Sequence, residues 1–335
     1  MNIISVYLEV SNICNLKCAY CYNTNNEVER HELSYDNILK VLNFCKKKKI
    51  ELIFSGGEPF LHSDFPQILN IISNNDEVQF GIVSNGTLIE NIDLLPHNVT
   101  LHLSLDSFSK EINAFSRSDV GFSSIISAIR ELQKHGRSFY VKKVINKYNV
   151  NDNENFINQV LAYGGIPQFS FVEKQAMACN NWLDLNITDE EKVKVLKELD
   201  VLSDIHNVRI GIPGCLYECP YLGGKGSYSI SIDCFGKIYP CQIMRSGETC
   251  LGCIDELDRV SDRINDFVKK MSVKPRVFKE CEKCYLKNIC KRGCPAKGEI
   301  NNGSIFANDA ECNVRRSYFM YKLQKEGNVL YDATR

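Results

Sequence analysis

Hydrophobic positions in the first half of the chain switch repeatedly between two periods. In ISVYLEV, residues 4–10, Val6, Leu8 and Val10 alternate with their neighbours, the period of a strand with one buried face. Ser34 can cap a helix whose apolar face holds Ile38, Val41, Leu42 and Cys45. That run closes with Lys46–Lys49, where positive charge suits the end of the helix dipole. IELIFSGG (50–57) reads as a strand closed by glycines, FPQILNII (65–72) as a helix and VQFGIVSNG (78–86) as a strand. VTLHLSLD (99–106) is a strand with Leu101, Leu103 and Leu105 on one face and His102, Ser104 and Asp106 on the other. FSSIISAIRELQKHG (122–136) is an amphipathic helix ending at Gly136. The strands SFYVKKVI (138–145) and PQFSFVE (167–173) flank the helical NENFINQVLAYGG (153–165).

About six strand–helix units of this kind predict an α/β fold with a parallel sheet, doubly wound or closed toward a barrel. In either form the functional loops leave the carboxyl ends of the strands. A cysteine trio follows the first strand, GGEP the second, SNG the third and SLD the fourth, so four polar or glycine-rich motifs converge on one mouth. Thr188 and Glu191 form a capping box ahead of a helix reaching about residue 206. Beyond Ile210 long periodic elements give way to glycine-, cysteine- and turn-rich sequence, where a small core tied by metal is expected. The expected organisation is a catalytic α/β unit over 1–186, a bridging helix over 187–209 and a cysteine-rich unit over 210–335.

Composition narrows the function classes. The 335 residues are 44% hydrophobic and 24% charged, with a net charge of −1, which gives no global attraction to nucleic acid or anionic lipid. No apolar run reaches the roughly 20 residues of a membrane span. MNIISVYLEV lacks a basic start and a cleavage site, so a cytoplasmic location is expected. Sixteen cysteines are then anomalous, because a reducing compartment disfavours structural disulfides and clustered thiols point to metal or redox chemistry. Three lie in residues 14–21, Cys45 and Cys179 stand apart, and eleven lie between 215 and 312.

Cys14, Cys18 and Cys21 are spaced C-x3-C-x2-C. Zinc with a remote fourth ligand is one reading, but structural zinc pairs usually have a second pair downstream, and none follows before Cys45. Cys45 lies on a helical apolar face, where a buried inert thiol is expected. Three thiolates on a four-iron cluster leave one iron open to a small ligand.

With Tyr20 before its last cysteine, this motif after an N-terminal strand resembles that of the radical S-adenosylmethionine (SAM) enzymes. SGGEP (Ser55–Pro59) resembles their SAM-binding motif, which implies that Gly56, Gly57 and Glu58 hold the methionine amino group through a side chain or backbone. Ser84 and Asn85 in SNGT, and Ser104 and Asp106 in SLD, look like the strand-end residues near ribose and substrate. Arg117 matches an arginine that can pair with the methionine carboxylate, a geometry that a guanidinium suits. Many relatives carry a His-Asp pair before that arginine; here the stretch is INAFSR. The resemblance implies a partial (β/α)6 barrel and a 5′-deoxyadenosyl radical, formed from SAM at a reduced cluster, that removes a hydrogen atom from substrate. Excluding water from such chemistry predicts a closed, largely apolar mouth.

CEKCYLKNICKRGC (281–294) is C-x2-C-x5-C-x3-C, followed by Cys312 and preceded by Gly236-x4-Cys241. Zinc remains an alternative for the run alone. The combined pattern resembles the SPASM extension of radical SAM enzymes, which holds two auxiliary iron–sulfur clusters. The resemblance implies that Cys281, Cys284, Cys290 and Cys312 hold one, and Cys219, Cys241, Cys294 and Cys215 the other, with Cys234 a rival for the last place. The implied cofactors are three 4Fe–4S clusters and SAM, with an external electron donor such as flavodoxin or ferredoxin. Cys250 and Cys253 are expected to be small buried side chains; with Cys179 they are also the candidates for donating a hydrogen atom. Sulfatase-maturing relatives place an acidic base directly after the equivalent of Cys241. Gln242 cannot take a proton, which disfavours that activity.

Most SPASM proteins resemble maturases of ribosomal peptides, so the expected function is oxidation or crosslinking of a peptide. Because the first strand starts near residue 3, a leader is expected to need a separate recognition protein, or none. The alternative is a dehydrogenase or epimerase of a small molecule such as an aminocyclitol or sugar. An iron–sulfur carrier is a third reading, against which the SAM motifs argue. Auxiliary clusters offer an electron acceptor, since iron–sulfur potentials span about −700 to +450 mV, so a net oxidation is expected.

Overall fold

A computed structural model describes residues 2–333 apart from 24–28, 90–91, 212–218, 223–225, 274–278 and 291–292. Strands β1 (Asn2–Ser11), β2 (Glu51–Gly56), β3 (Phe80–Ser84), β4 (Val99–Ser104), β5 (Phe139–Ile145) and β6 (Ile166–Phe171) pair in parallel with their neighbours in chain order. Helices α1 (Tyr35–Lys48), α2 (Phe65–Ser73), α3 (Lys110–Arg117), α4 (Phe122–Lys134) and α5 (Asn153–Ala162) lie in the connections. This is the expected α/β fold with six strand–helix units. In α1, Ser34 Oγ accepts the Asn37 N–H, Lys49 closes the helix at φ +55°, and Ile38, Val41, Leu42 and Cys45 are buried. Helix α3 was not expected between Asp106 and residue 122. Ser109 caps it, and it delivers Ser116 and Arg117 toward the cysteine loop.

Burial alternates along β4, β5 and β6: Leu101, Leu103, Val141 and Phe169 pack under helices, while the intervening side chains are half-buried. That second face lines the barrel lumen. It carries His102, Ser104, Tyr140, Lys142, Gln168 and Ser170 beside Val144 and Ile166, a more polar lining than the largely apolar mouth expected. The strands alternate in both directions, and the helices cover the face with the longer apolar side chains.

After β6 come α6 (Met177–Asn180), α7 (Trp182–Leu185) and α8 (Asp189–His206). The α8 capping box is formed as expected: Thr188 Oγ1 accepts from Glu191 N at 3.2 Å, and Glu191 accepts from Thr188 N at 2.7 Å. Strand β7 (Ser227–Ile232) then pairs in parallel with β1 on the edge away from β2. The antiparallel β8 (Lys237–Tyr239) and β9 (Gly252–Cys253) extend the same sheet, giving the order β6-β5-β4-β3-β2-β1-β7-β8-β9. The cysteine-rich region is therefore joined to the barrel by sheet hydrogen bonds.

That region holds α9 (Val260–Val273), α10 (Lys279–Glu282), α11 (Lys287–Cys290), α12 (Pro295–Asn302) and α13 (Cys312–Ala333). Long periodic elements were not expected there. In α9, Val260, Ile264, Phe267 and Met271 recur at helical spacing and are all buried. Helix α13 packs against α8, where Asp200 accepts from Tyr321 Oη at 3.0 Å and pairs with Lys322 at 2.7 Å. A buried alternation of charge ties four segments together: Glu311 pairs with Lys192 at 2.8 Å and Lys297 at 2.6 Å, and Lys297 with Glu173 at 2.9 Å. No helix among the described residues is long and apolar enough to cross a membrane.

Candidate functional site

Four loops meet at the carboxyl ends of the barrel strands. The cysteine loop after β1 is clamped from one side by the β2 loop: Gly57 N donates to Ser11 O at 2.7 Å, and Glu58 N to Ile13 O at 2.8 Å. A Cβ on Gly56 would lie 2.2 Å from Ser11 O, and one on Gly57 2.2 Å from Ile13 O. Gly56 also has φ +129°, which side-chain-bearing residues rarely adopt. Both glycines thus exist to let two backbones touch.

Glu58 is fully buried. Its carboxylate accepts from Ser84 Oγ at 2.8 Å, Asn85 N at 2.7 Å and Phe60 N at 3.3 Å, tying the β2 loop to the β3 loop. Burial pushes its pKa up to about 7 against the pull of those donors. Asn85 reaches back to the cysteine loop, donating to Asn15 Oδ1 at 2.8 Å and to Cys14 Sγ at 3.8 Å.

The other side of the cysteine loop is bracketed by α3 and the β4 loop. Asp106 has no exposed surface and accepts from Tyr20 Oη at 2.8 Å, Ser116 Oγ at 2.5 Å and Val144 N at 3.0 Å. Arg117 Nη1 donates to Tyr20 Oη at 2.8 Å, and Ala19 N to Ser116 O at 2.8 Å. Burial opposes the Arg117 charge, but Tyr20, Cys18 and Asp106 outweigh it and raise its pKa. Cys18 is buried and its thiol is pushed up to about 11, mainly by desolvation. Asp106 is therefore a bracket for the loop, whereas Ser104 faces the lumen.

Cys14, Cys18 and Cys21 hang from this frame, each within electrostatic reach of the others. Met177 N donates to Cys21 O at 3.2 Å, placing α6 and its exposed Cys179 beside the trio. Cys250 and Cys253 are exposed near the β8–β9 edge, against the expectation of burial. Cys45 is buried, and burial raises its thiol to about 12.

The sequence reading missed Glu9 and Arg245. Arg245 forks onto the buried Glu9 carboxylate at the end of β1, with one bond of 2.9 Å from Nη1 to Oε2 and a second from Nη2 to Oε1, and lies 5.0 Å from the Tyr22 ring centroid. This pair docks the segment after Cys241 onto the mouth, helped by Gln175 Nε2 donating to Ile243 O at 2.8 Å. The signal available in the sequence was the one charged residue of β1.

In the cysteine-rich region, Cys281, Cys284, Cys290 and Cys312 line one solvent-open pocket, together with Arg315 and Arg316. Arg315 bonds Cys290 and Arg316 bonds Cys284, and the Nε atoms of both arginines are buried without an acceptor. Cys241 and Cys294 act on one another electrostatically, and Cys219 and Cys241 both raise Tyr221. The charges acting on Cys234 are those of Glu9, Asp233 and Arg245. Cys215 lies outside the described residues. No three His, Cys, Asp or Glu side chains among the described residues converge tightly enough for a single metal ion. The donor chemistry suits an iron–sulfur group: soft thiols set around a pocket, with two arginines carrying orphaned N–H groups in its lining.

Comparison with known proteins follows the same geometry. Residues 8–160 match the radical SAM superfamily model. The mycofactocin maturase MftC of Mycolicibacterium smegmatis is 24% identical over 91% of this chain and 81% of its own length. A cysteine-type anaerobic sulfatase-maturating enzyme of Clostridium perfringens is 25% identical over 94% of this chain and 95% of its own. Among solved structures, Streptococcus suis SuiB bound to S-adenosylmethionine superposes with a TM-score of 0.75 at 16% identity, covering 93% of this chain and 77% of that one. AnSMEcpe with bound AdoMet superposes at 0.72 and 20% identity, covering 98% and 96%. The span of the family match contains the cysteine loop, the GGEP and SNG loops and the Arg117 bracket, and residues 8–160 of this chain are a radical SAM domain.

Proposed function

We propose that this chain is a radical SAM oxidoreductase that abstracts a hydrogen atom from a ribosomally made peptide and oxidises or crosslinks it. The observation that carries this reading is the bracing of the three-cysteine loop by the GGEP, SNG and α3 segments in one network of buried hydrogen bonds. Relatives over nearly the whole length are named as maturases, and SuiB has been solved with a precursor peptide, SuiA.

Cys14, Cys18 and Cys21 would hold one 4Fe–4S cluster, and when bound with SAM it supplies a 5′-deoxyadenosyl radical. The Glu58 carboxylate is occupied by three protein donors, so the β2 loop would bind SAM through backbone groups while Glu58 keeps Ser84 and Asn85 in place. Arg117 bonds Tyr20 through Nη1, leaving guanidinium donors for a carboxylate. The cavity lined by Cys281, Cys284, Cys290 and Cys312 would hold a second cluster, and Cys219, Cys241 and Cys294 with Cys215 a third. An external donor such as flavodoxin or ferredoxin would supply the electron.

The experiment is anaerobic reconstitution with iron and sulfide, reduction, and assay with SAM and a short peptide encoded beside the gene. Wild type should form 5′-deoxyadenosine, and the product made in deuterated water should have lost two hydrogens. Replacing Cys14, Cys18 and Cys21 together by alanine should abolish 5′-deoxyadenosine while iron remains bound. Cleavage by that triple variant would refute the cluster assignment. A product of unchanged hydrogen count carrying one deuterium would replace oxidation with epimerisation and make Cys179, beside the trio, the first hydrogen donor to test.

A further inference from the structure

The barrel lumen contains a cation without a counter-charge. Lys142 lies in the middle of β5 on the lumen face, between the helix-covered Val141 and Lys143. Its ammonium has no ion-pair or hydrogen-bond partner among the described residues, and desolvation alone lowers its pKa. The titratable group it acts on is His102, which is pushed down to about 4 first by burial and then by Lys142 itself, so it is neutral and brings no negative charge. His102 stacks on Tyr140 with ring centroids 4.7 Å apart.

The row around Lys142 is built for an acceptor. Ser104, Lys142 and Gln168 are Cα partners on three adjacent parallel strands and face the same way. They present a hydroxyl, an ammonium and an amide in one line, with neighbouring strands about 4.8 Å apart; the Gln168 side chain also bonds His102, which leaves part of its amide for a ligand. The Ser104 hydroxyl, like the ammonium, has no partner among the described residues. The row also has an address. The next lumen position on β5 is Val144, whose N–H binds the Asp106 carboxylate that brackets Tyr20 of the cysteine loop. Two residues of strand rise about 6.6 Å, which sets Lys142 one lumen position below that bracket.

We propose that Ser104, Lys142 and Gln168 form a carboxylate subsite that anchors the substrate peptide, through its C-terminus or an acidic side chain, beneath the radical site. This rests on the peptide-modifying reading above and adds the group by which the peptide is held. A desolvated cation is costly when unpaired, and a carboxylate both neutralises it and accepts from the flanking donors. The SAM carboxylate shares this chemistry. The substrate is favoured because Arg117, bonded to Tyr20 through Nη1 alone, keeps guanidinium donors for the methionine carboxylate.

The test uses reconstituted holoenzyme of the full chain and carbon-13 acetate as the probe, followed by line broadening in the absence and presence of saturating SAM. Wild type should bind acetate saturably in the millimolar range, with less than threefold change on adding SAM. Lys142→Gln should weaken acetate binding at least tenfold and Lys142→Arg less than threefold, at unchanged iron content and circular dichroism. Absence of saturable binding, or equal binding by Lys142→Gln, overturns the subsite. Displacement of acetate by SAM overturns the peptide as its source and assigns the row to methionine. Reductive SAM cleavage by wild type is scored separately: if it occurs without acetate binding, this inference fails while the radical SAM reading stands.

Discussion

Replacing Gly57 by alanine tests whether the mouth depends on two backbones in contact. The added Cβ would stand 2.2 Å from Ile13 O, 2.5 Å from Ile13 C and 2.9 Å from Asn12 C. All three are backbone atoms, so no side chain can swing away, and the β2 loop must separate from the cysteine loop. Overpacking of this kind costs roughly 1–3 kcal/mol. Separation also breaks the Gly57 N–Ser11 O and Glu58 N–Ile13 O bonds, each contributing about 1 kcal/mol. The total is about 3–5 kcal/mol, or roughly two to three and a half orders of magnitude in the equilibrium between braced and open loops. The assay is iron content after reconstitution, equilibrium dialysis of SAM and reductive formation of 5′-deoxyadenosine. Gly57→Ala should lose SAM binding by a hundredfold or more. Gly247→Ala, where the Cβ meets nothing within 4 Å, should match wild type. A Gly57→Ala enzyme that binds SAM within threefold of wild type would show that the loops need not touch.

Glu9→Gln should destabilise the docking of the segment after Cys241, because it strands the Arg245 guanidinium, while Glu9→Gln with Arg245→Met should recover part of the loss; the coupling in a urea-unfolding double-mutant cycle should be about 1–3 kcal/mol, and a value of zero would deny the pair a role. Glu311→Gln removes the shared partner of Lys192 and Lys297 and should cost about 3–5 kcal/mol by the same measurement, whereas an exposed pair such as Lys40–Asp255 should cost below about 1 kcal/mol. Metal analysis after reconstitution should find iron and no stoichiometric zinc. Cys281→Ala or Cys284→Ala should lower both iron content and solubility, since ligation supplies folding free energy in a small core, and zinc at one per chain would refute the auxiliary-cluster assignment.

The cysteine spacings, the strand–helix alternation, the Ser34 cap and the Thr188 capping box were legible because each is a local relation between residues close in the chain. The partnerships of Glu58 and Asp106 were not, since Glu58 takes two of its three donors from 26 and 27 residues away and Asp106 takes one from 86 residues away. Nor was the continuity of the sheet into the cysteine-rich region, because β1 and β7 meet across more than 200 residues. Lys142 and Lys143 show the division most sharply. Alternation in the sequence puts two adjacent lysines on opposite faces of one strand, but the chemistry of each face depends on what covers it. Helix packing buries Lys143 with its ammonium 3.9 Å from Asp152 and 5.2 Å from the Phe156 ring centroid, and leaves Lys142 facing the lumen. The sequence alone determined the period; which face became interior was decided by where the helices lie, and with it which lysine is core and which is available to a ligand.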